Sequence, residues 1–197
     1  AKRGSTATTI PEAYGGLGLS YYELAVIAEE LGRAVAPLPF SSSVYLASEA
    51  INRFGTEAQK SDWLPKLASG ECVAAFAMAE RSGRLSLAQL ETQRTDERIS
   101  GYKTTVPDAA VADMAVVLAR TGSDVELCLL PLKQDGVTVQ PVLTLDSSRG
   151  HSNLILKEAQ AERLGDRTLE PTEWDRLLDG AAALFAWEHL GIAEAAL

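Results

Sequence analysis

Apolar residues recur at helical spacing near both ends of the chain and give way to short β-prone runs between them. Ser20 followed by Glu23 forms a capping box, in which the hydroxyl takes a free backbone N–H of the first turn and the carboxylate reaches back. Leu24, Ile27, Ala28 and Leu31 then share one helical face, and Gly32 reads as a stop. Ala47, Ala50, Ile51 and Phe54 repeat the pattern before Gly55, and Thr56 with Gln59 makes a second capping box. Trp63, Leu64 and Leu67 extend the apolar surface up to Gly70, with Pro65 expected to interrupt it. These helices cannot bury all their stripes on one another, so a further packing surface is expected.

From Cys72 onward the period changes. The runs CVAAFAMA, ISGYKTTV, DMAVVLAR, VELCLLPL, GVTVQPV and SNLILK are separated by turn formers such as Ser82-Gly83, Pro107-Asp108, Thr121-Gly122-Ser123-Asp124 and Gln134-Asp135-Gly136. Strands at this spacing without helices between them predict an antiparallel sandwich or small barrel. After Leu164-Gly165 the helical period returns with Pro171-Thr172, and Trp174, Leu177, Leu178, Ala181 and Phe185 fall on one stripe. Leu184, Trp187, Leu190 and Ile192 extend the apolar character beyond that stripe. The expected class is therefore α+β: an N-terminal helical domain over 1–70, an antiparallel β domain over 71–168, and the start of a C-terminal helical bundle over 169–197. So much apolar surface on the last helix predicts a polypeptide that is incomplete or assembles with another chain.

Composition narrows the function. Of the 197 residues 46 % are hydrophobic and 23 % charged, the balance of a globular chain with a real core. The formal net charge of -9, without any concentrated basic run, argues against a nucleic-acid binder. No segment has the roughly 20 apolar residues that span a bilayer, and the opening AKRGSTATT lacks the apolar run of a secretory signal, so a cytoplasmic, membrane-free protein is expected. Cys72 and Cys128 lie in separate apolar runs, which suits buried free thiols, and with only His151 and His189 besides, no metal site is expected.

Several strings resemble the acyl-CoA dehydrogenase family. Ile10-Pro11-Glu12-Ala13-Tyr14-Gly15-Gly16-Leu17-Gly18-Leu19 is similar to the loop leading into an N-terminal helix of that family, and Ala28-Glu29-Glu30-Leu31-Gly32-Arg33 to the end of that helix. Phe54 to Lys60 and Trp63 to Glu71 resemble the approach to its β domain. Ala75-Phe76-Ala77-Met78-Ala79-Glu80 stands at its flavin-contacting strand, and Gly101-Tyr102-Lys103 with Ala109 to Asp113 bracket its second flavin strand. Leu145-Asp146-Ser147-Ser148-Arg149 resembles a segment of some bacterial branches. The resemblance implies FAD as cofactor, acyl-CoA as ligand, and cofactor-binding positions at Phe76, Met78, Ala79 and Thr105. It also implies a homo- or hetero-oligomer with another acyl-CoA dehydrogenase subunit.

The departures from the family pattern bear on function. Ala79 replaces a threonine whose hydroxyl bonds the flavin, Arg81 replaces a proline, and a Gly-Ser-Asp turn falls at about Arg84-Leu85-Ser86. Thr105 stands where an aromatic covers the isoalloxazine, and Pro107 where a hydroxyl follows. The resemblance places the catalytic base on a glutamate of the C-terminal bundle, so no catalytic residue is assigned in this chain. Glu80 is the one carboxylate of the first flavin strand. Gly15-Gly16-Leu17-Gly18 follows no strand and misses phosphate-loop spacing, so it reads as a tight turn. His151 beside Asp146, Ser147 and Ser148 reads as a polar turn rather than a triad. The expected function is an acyl-CoA dehydrogenase-like subunit with degenerate flavin determinants; the alternatives are a non-enzymatic acyl-CoA-binding or assembly module, and an active flavoenzyme whose flavin is held by backbone contacts.

Overall fold

The computed structural model describes residues 4–81, 87–146 and 148–197. The helical stripes near the start form α1 (Tyr21–Arg33), a π-helical stretch Ser41–Ser48 that runs straight into α2 (Glu49–Phe54), and α3 (Glu57–Ser69). Both capping boxes form as the sequence requires, with Ser20 paired to Glu23 and Thr56 to Gln59. Two details differ from expectation. Pro65 lies inside α3, which continues through it to Gly70 in the left-handed cap conformation. Gly32 does not end α1. It lies one residue inside the helix, where an added Cβ would overlap the carbonyl of Glu188 on the last helix.

That last helix, α4 (Pro171–Ala196), starts with proline in its first turn and lies along α1. Gly191 is the reciprocal contact, since a Cβ there would overlap the carbonyl of Glu29. The two glycines let the helix backbones approach closely, and the Arg33 to Glu194 ion pair flanks the crossing. The extra stripe expected to need a second partner is partly covered by the chain itself. Leu184 is fully buried, whereas Trp187, Leu190 and Ile192 remain exposed.

The middle of the chain forms one mostly antiparallel, curled sheet. Its strands are β1 (Ala74–Ala77), β2 (Gln93–Thr95), β3 (Arg98–Pro107), β4 (Met114–Thr121), β5 (Asp124–Pro131), β6 (Val137–Val142), β7 (His151–Gln160) and β8 (Glu162–Arg163). The order is β6-β7-β3-β2-β4-β5-β8, with β1 also paired to β4. The sequence reading predicted an antiparallel sandwich or small barrel, and most strand pairs are antiparallel. β1 instead runs parallel to β4 over four residue pairs, from Ala74 with Met114 to Ala77 with Val117, and β2 meets β4 in parallel at Gln93 with Arg120.

Alternation along the central strands explains the curl. Phe76, Met114, Val116, Leu118, Leu127 and Leu129 point to the helices and join one core with Leu24, Ile51, Leu64 and Trp174. The opposite side chains, including Ala75, Ala77, Ala115, Ala119, Cys128 and Leu130, meet Val106, Leu154 and Leu156 of β3 and β7 in a second core made by the sheet folding on itself. Small alanines on that inner face permit the tight closure, as alternating side-chain size does in small barrels. Both thiols are free and buried, and burial raises them, Cys72 to about 11 and Cys128 to about 12. No helix among the described residues is long and apolar enough to cross a membrane. Among the same residues no cluster of His, Cys, Asp and Glu could hold a metal.

Candidate functional site

The two strands singled out by sequence converge. β1 ends at Ala77, and the segment beyond it crosses β3, where the Thr104 N–H donates to the Ala79 carbonyl at 2.8 Å. The junction is fixed from below by Lys103, whose side chain is wholly buried. Its Nζ donates to Glu80 Oε1 at 2.8 Å and to the Met78 carbonyl at 3.2 Å. Burial pushes the Lys103 ammonium down to about 8 against the opposing pull of Glu80. Glu80 also accepts the backbone N–H groups of Glu91 and Thr92. Its own burial raises the carboxyl, and the Lys103 and Thr92 donors outweigh that and hold it below its ordinary value. Glu80 therefore serves as a three-way tie between segments, with hydrogen bonds on both oxygens. Sequence reading singled out Glu80 but not Lys103, whose buried place follows from its inward position on β3.

The four positions implied as flavin contacts lie in different settings. The Phe76 ring is buried in the helix-facing core, stacked on Trp174 with centroids 6.2 Å apart and planes at 21°. Met78 is half-buried against the same core. Ala79 is half-buried and carries no hydrogen-bonding side chain. Thr105 is exposed at a register shift in the β3–β7 ladder, with φ of 48°, and its N–H donates to Asn153 Oδ1 at 3.0 Å. The Asn153 carboxamide, which also accepts from the Thr104 hydroxyl at 3.2 Å, had no signal in the sequence. An isoalloxazine needs flat apolar cover and partners for its ring nitrogens and oxygens. Here the only side-chain polar group at the four positions is the Thr105 hydroxyl, and the one aromatic ring is committed to the core. The turn expected at Arg84-Leu85-Ser86, the Ser82-Gly83 turn and Ser147 lie outside the described residues.

A second constellation joins the π-helical stretch, the sheet and α4. Arg149 donates to Ser41 Oγ at 2.6 Å and to Glu188 Oε2 at 2.5 Å, and the Tyr45 hydroxyl donates to Glu188 Oε1 at 2.9 Å. Ser42 donates to Asp108 Oδ2 at 2.6 Å, just past the end of β3. Burial raises the Asp108 carboxyl, partly offset by the Ser42 hydrogen bond. Burial likewise raises the Tyr45 phenol, with the Glu188 charge adding to it. Phe185 packs edge-on to Tyr45 at 5.6 Å, and the Arg149 guanidinium lies 6.0 Å from the Phe185 ring. His151, read as part of a polar turn, begins β7, and its Nδ1 lies 3.2 Å from the Arg149 carbonyl oxygen.

Comparison with known proteins agrees with this architecture. Residues 1–71 match the acyl-CoA dehydrogenase N-terminal domain and residues 75–159 the middle domain. A probable acyl-CoA dehydrogenase of Bacillus subtilis is 34 % identical over 167 residues, which is 81 % of this chain and 28 % of that protein. The short-chain specific acyl-CoA dehydrogenase of Bos taurus is 30 % identical over 98 % of this chain, which is 51 % of that protein. Among solved structures, the Tcur3481-Tcur3483 steroid acyl-CoA dehydrogenase variant superposes with a TM-score of 0.83 at 31 % identity, over 98 % of this chain and 52 % of that one. The chain thus spans about half, or less, of the length of these relatives. It belongs to the acyl-CoA dehydrogenase family.

Proposed function

We propose that this chain is a subunit of an acyl-CoA dehydrogenase-type assembly whose flavin chemistry is carried by a partner subunit. The assembly would oxidise the α,β-bond of an acyl-CoA thioester, and this chain would supply helical and β scaffolding and part of the acyl-group environment. The observation that carries the reading is the set of flavin-strand substitutions. The backbone junction of β1 and β3 is kept and pinned by Lys103 and Glu80, while Ala79 and Thr105 stand where a flavin-bonding hydroxyl and a covering aromatic are expected. Glu80, tied by three structural bonds across both oxygens, is better suited to holding segments together than to taking an α proton. A hetero-oligomer reconciles family membership with a flavin strand poor in ring-facing groups.

Absorbance spectra and dye-linked turnover decide this. Purified alone, the 197-residue chain is expected to lack visible flavin absorbance and to leave acyl-CoA thioesters unoxidised. Co-purified with a flavin-bearing acyl-CoA dehydrogenase subunit, it is expected to comigrate and to raise that subunit's turnover. Stoichiometric flavin and turnover in the isolated chain would overturn the proposal.

A further inference from the structure

A cavity of about 340 Å³ lies at the seam between α3 and the sheet and shares no lining residue with the β1–β3 junction or the Arg149 cluster. That volume is near the lower end of the range in which protein cavities hold small ligands. Trp63 of α3, Leu129 and Pro131 of β5, and Ala161 just before β8 give it an apolar lining. Glu97, in the turn between β2 and β3, and Glu162 of β8 line it as well. Gln160 completes the wall, and its N–H and carbonyl are both bonded to the Gln134 carboxamide, at 3.1 and 2.8 Å.

The charge around this cavity is one-sided. Neither Glu97 nor Glu162 has an ion-pair partner among the described residues. Glu162 Oε1 accepts from the neutral carboxamide of Gln59, which leaves its charge unmatched. The neighbouring cations are held elsewhere: Arg163 by Glu126 at 3.3 Å, Arg98 by the Glu158 carbonyl at 3.0 Å, and Lys66 by Asp62 at 2.6 Å. Lys66 also lies over the Trp63 ring, 4.9 Å from its centroid, so this indole already attracts one ammonium of the chain itself.

These features select a ligand by its chemistry. An anion would meet two carboxylates and no cation in the lining. A bare metal ion needs several ligand atoms converging on it, and no group of three or more His, Cys, Asp and Glu among the described residues supplies them. A neutral apolar molecule would use the Trp63 side and leave the carboxylates unanswered. An ammonium bearing alkyl groups uses both, since its diffuse charge is drawn to an aromatic ring and to carboxylates while its carbons match the apolar lining. We infer that this cavity is a binding site for a small organic ammonium compound, alkylated at nitrogen. The site stands apart from the proposed acyl-CoA function and does not depend on it.

Choline and its carbon isostere 3,3-dimethyl-1-butanol share a shape and differ in charge, so they test the inference directly. In calorimetric titration of the 197-residue chain, choline is expected to bind about tenfold more tightly than the neutral isostere. The anion 3,3-dimethylbutanoate is expected not to bind. Trp63→Leu, which keeps the lining apolar and removes the ring, is expected to lower choline affinity about tenfold. Glu162→Gln keeps an oxygen to accept from Gln59 and is expected to lower choline affinity several-fold with thermal unfolding unchanged. The comparison of the three ligands on the unaltered chain decides even where a variant fails to fold. Isostere or anion binding as tightly as choline would overturn the inference. So would the lack of saturable choline binding, or choline affinity undiminished in either folded variant.

Discussion

Lys103 and Glu80 meet at 2.8 Å beneath the junction of β1 and β3, with the lysine side chain entirely removed from water. Taking one partner away leaves the other as an uncompensated charge, so Lys103→Met is expected to destabilise the chain by about 3 kcal/mol. The pH dependence gives an independent check. In the unfolded chain the lysine titrates near roughly 10.4, and in the folded chain at about 8. Below the folded value both states hold the proton and stability is flat. Between the two values the unfolded chain binds more protons, so stability rises with pH. Urea unfolding of wild type and Lys103→Met across that window should show the wild type gaining on the variant as pH increases. A constant difference would refute the assignment.

Gly32 and Gly191 set the approach of α1 and α4. Gly32→Ala or Gly191→Ala would drive a methyl into the facing carbonyl of Glu188 or Glu29. Each is expected to cost at least about 1–3 kcal/mol, seen as a lowered thermal midpoint. Gly180→Ala is the control: on the same helix its nearest neighbour would be the Tyr21 hydroxyl at 3.0 Å, the far end of a side chain. A Gly180→Ala loss equal to that of Gly191→Ala would show that helix crossing is not the cause.

Phe76 is implied by resemblance as a cofactor contact, and the structure buries its ring against Trp174. Phe76→Ala is expected to cost about 3–5 kcal/mol and to weaken the near-ultraviolet dichroism of the tryptophan. Phe76→Leu, which keeps most of the volume, should recover much of the stability. A fully stable Phe76→Ala would place the ring outside the core.

Thr105 is a β-branched residue at φ of 48°, a conformation that asparagine tolerates better. Thr105→Asn is expected to stabilise the chain by up to about 1 kcal/mol in chemical denaturation, since the side chain is exposed and the backbone bond to Asn153 is retained. Destabilisation would mean that the threonine side chain itself supports the bulge.

Local signals carried over well where the physics was local. The capping boxes at Ser20 and Thr56 form as written because they need only neighbouring residues. The strand runs also became strands, since their apolar period is set by the two cores. What was not legible depends on distant partners. Gly32 carries the same letter whether it ends a helix or lets another helix approach, and only the position of Glu188 decides between them. The parallel entry of β1 against β4 is invisible to a pattern with period two. Lys103 has no sequence signal of burial, because the carboxylate that permits it is 23 residues away. Arg149 and Glu188, 39 residues apart, come together only when α4 lies down on the helical stretch that holds Tyr45.

The α1–α4 contact has a consequence for biosynthesis. Arg33 and Glu194, which flank it, are 161 residues apart. At roughly 5–20 residues per second on the ribosome, α1 waits some ten to thirty seconds for the helix that covers it. During that interval Leu24, Ala28 and the cleft around Gly32 lack part of their cover, while the sheet between them is still collecting pairings distant in sequence. The fold is thus closed by a segment made long after the one it covers, and the exposed interval favours aggregation of the nascent chain.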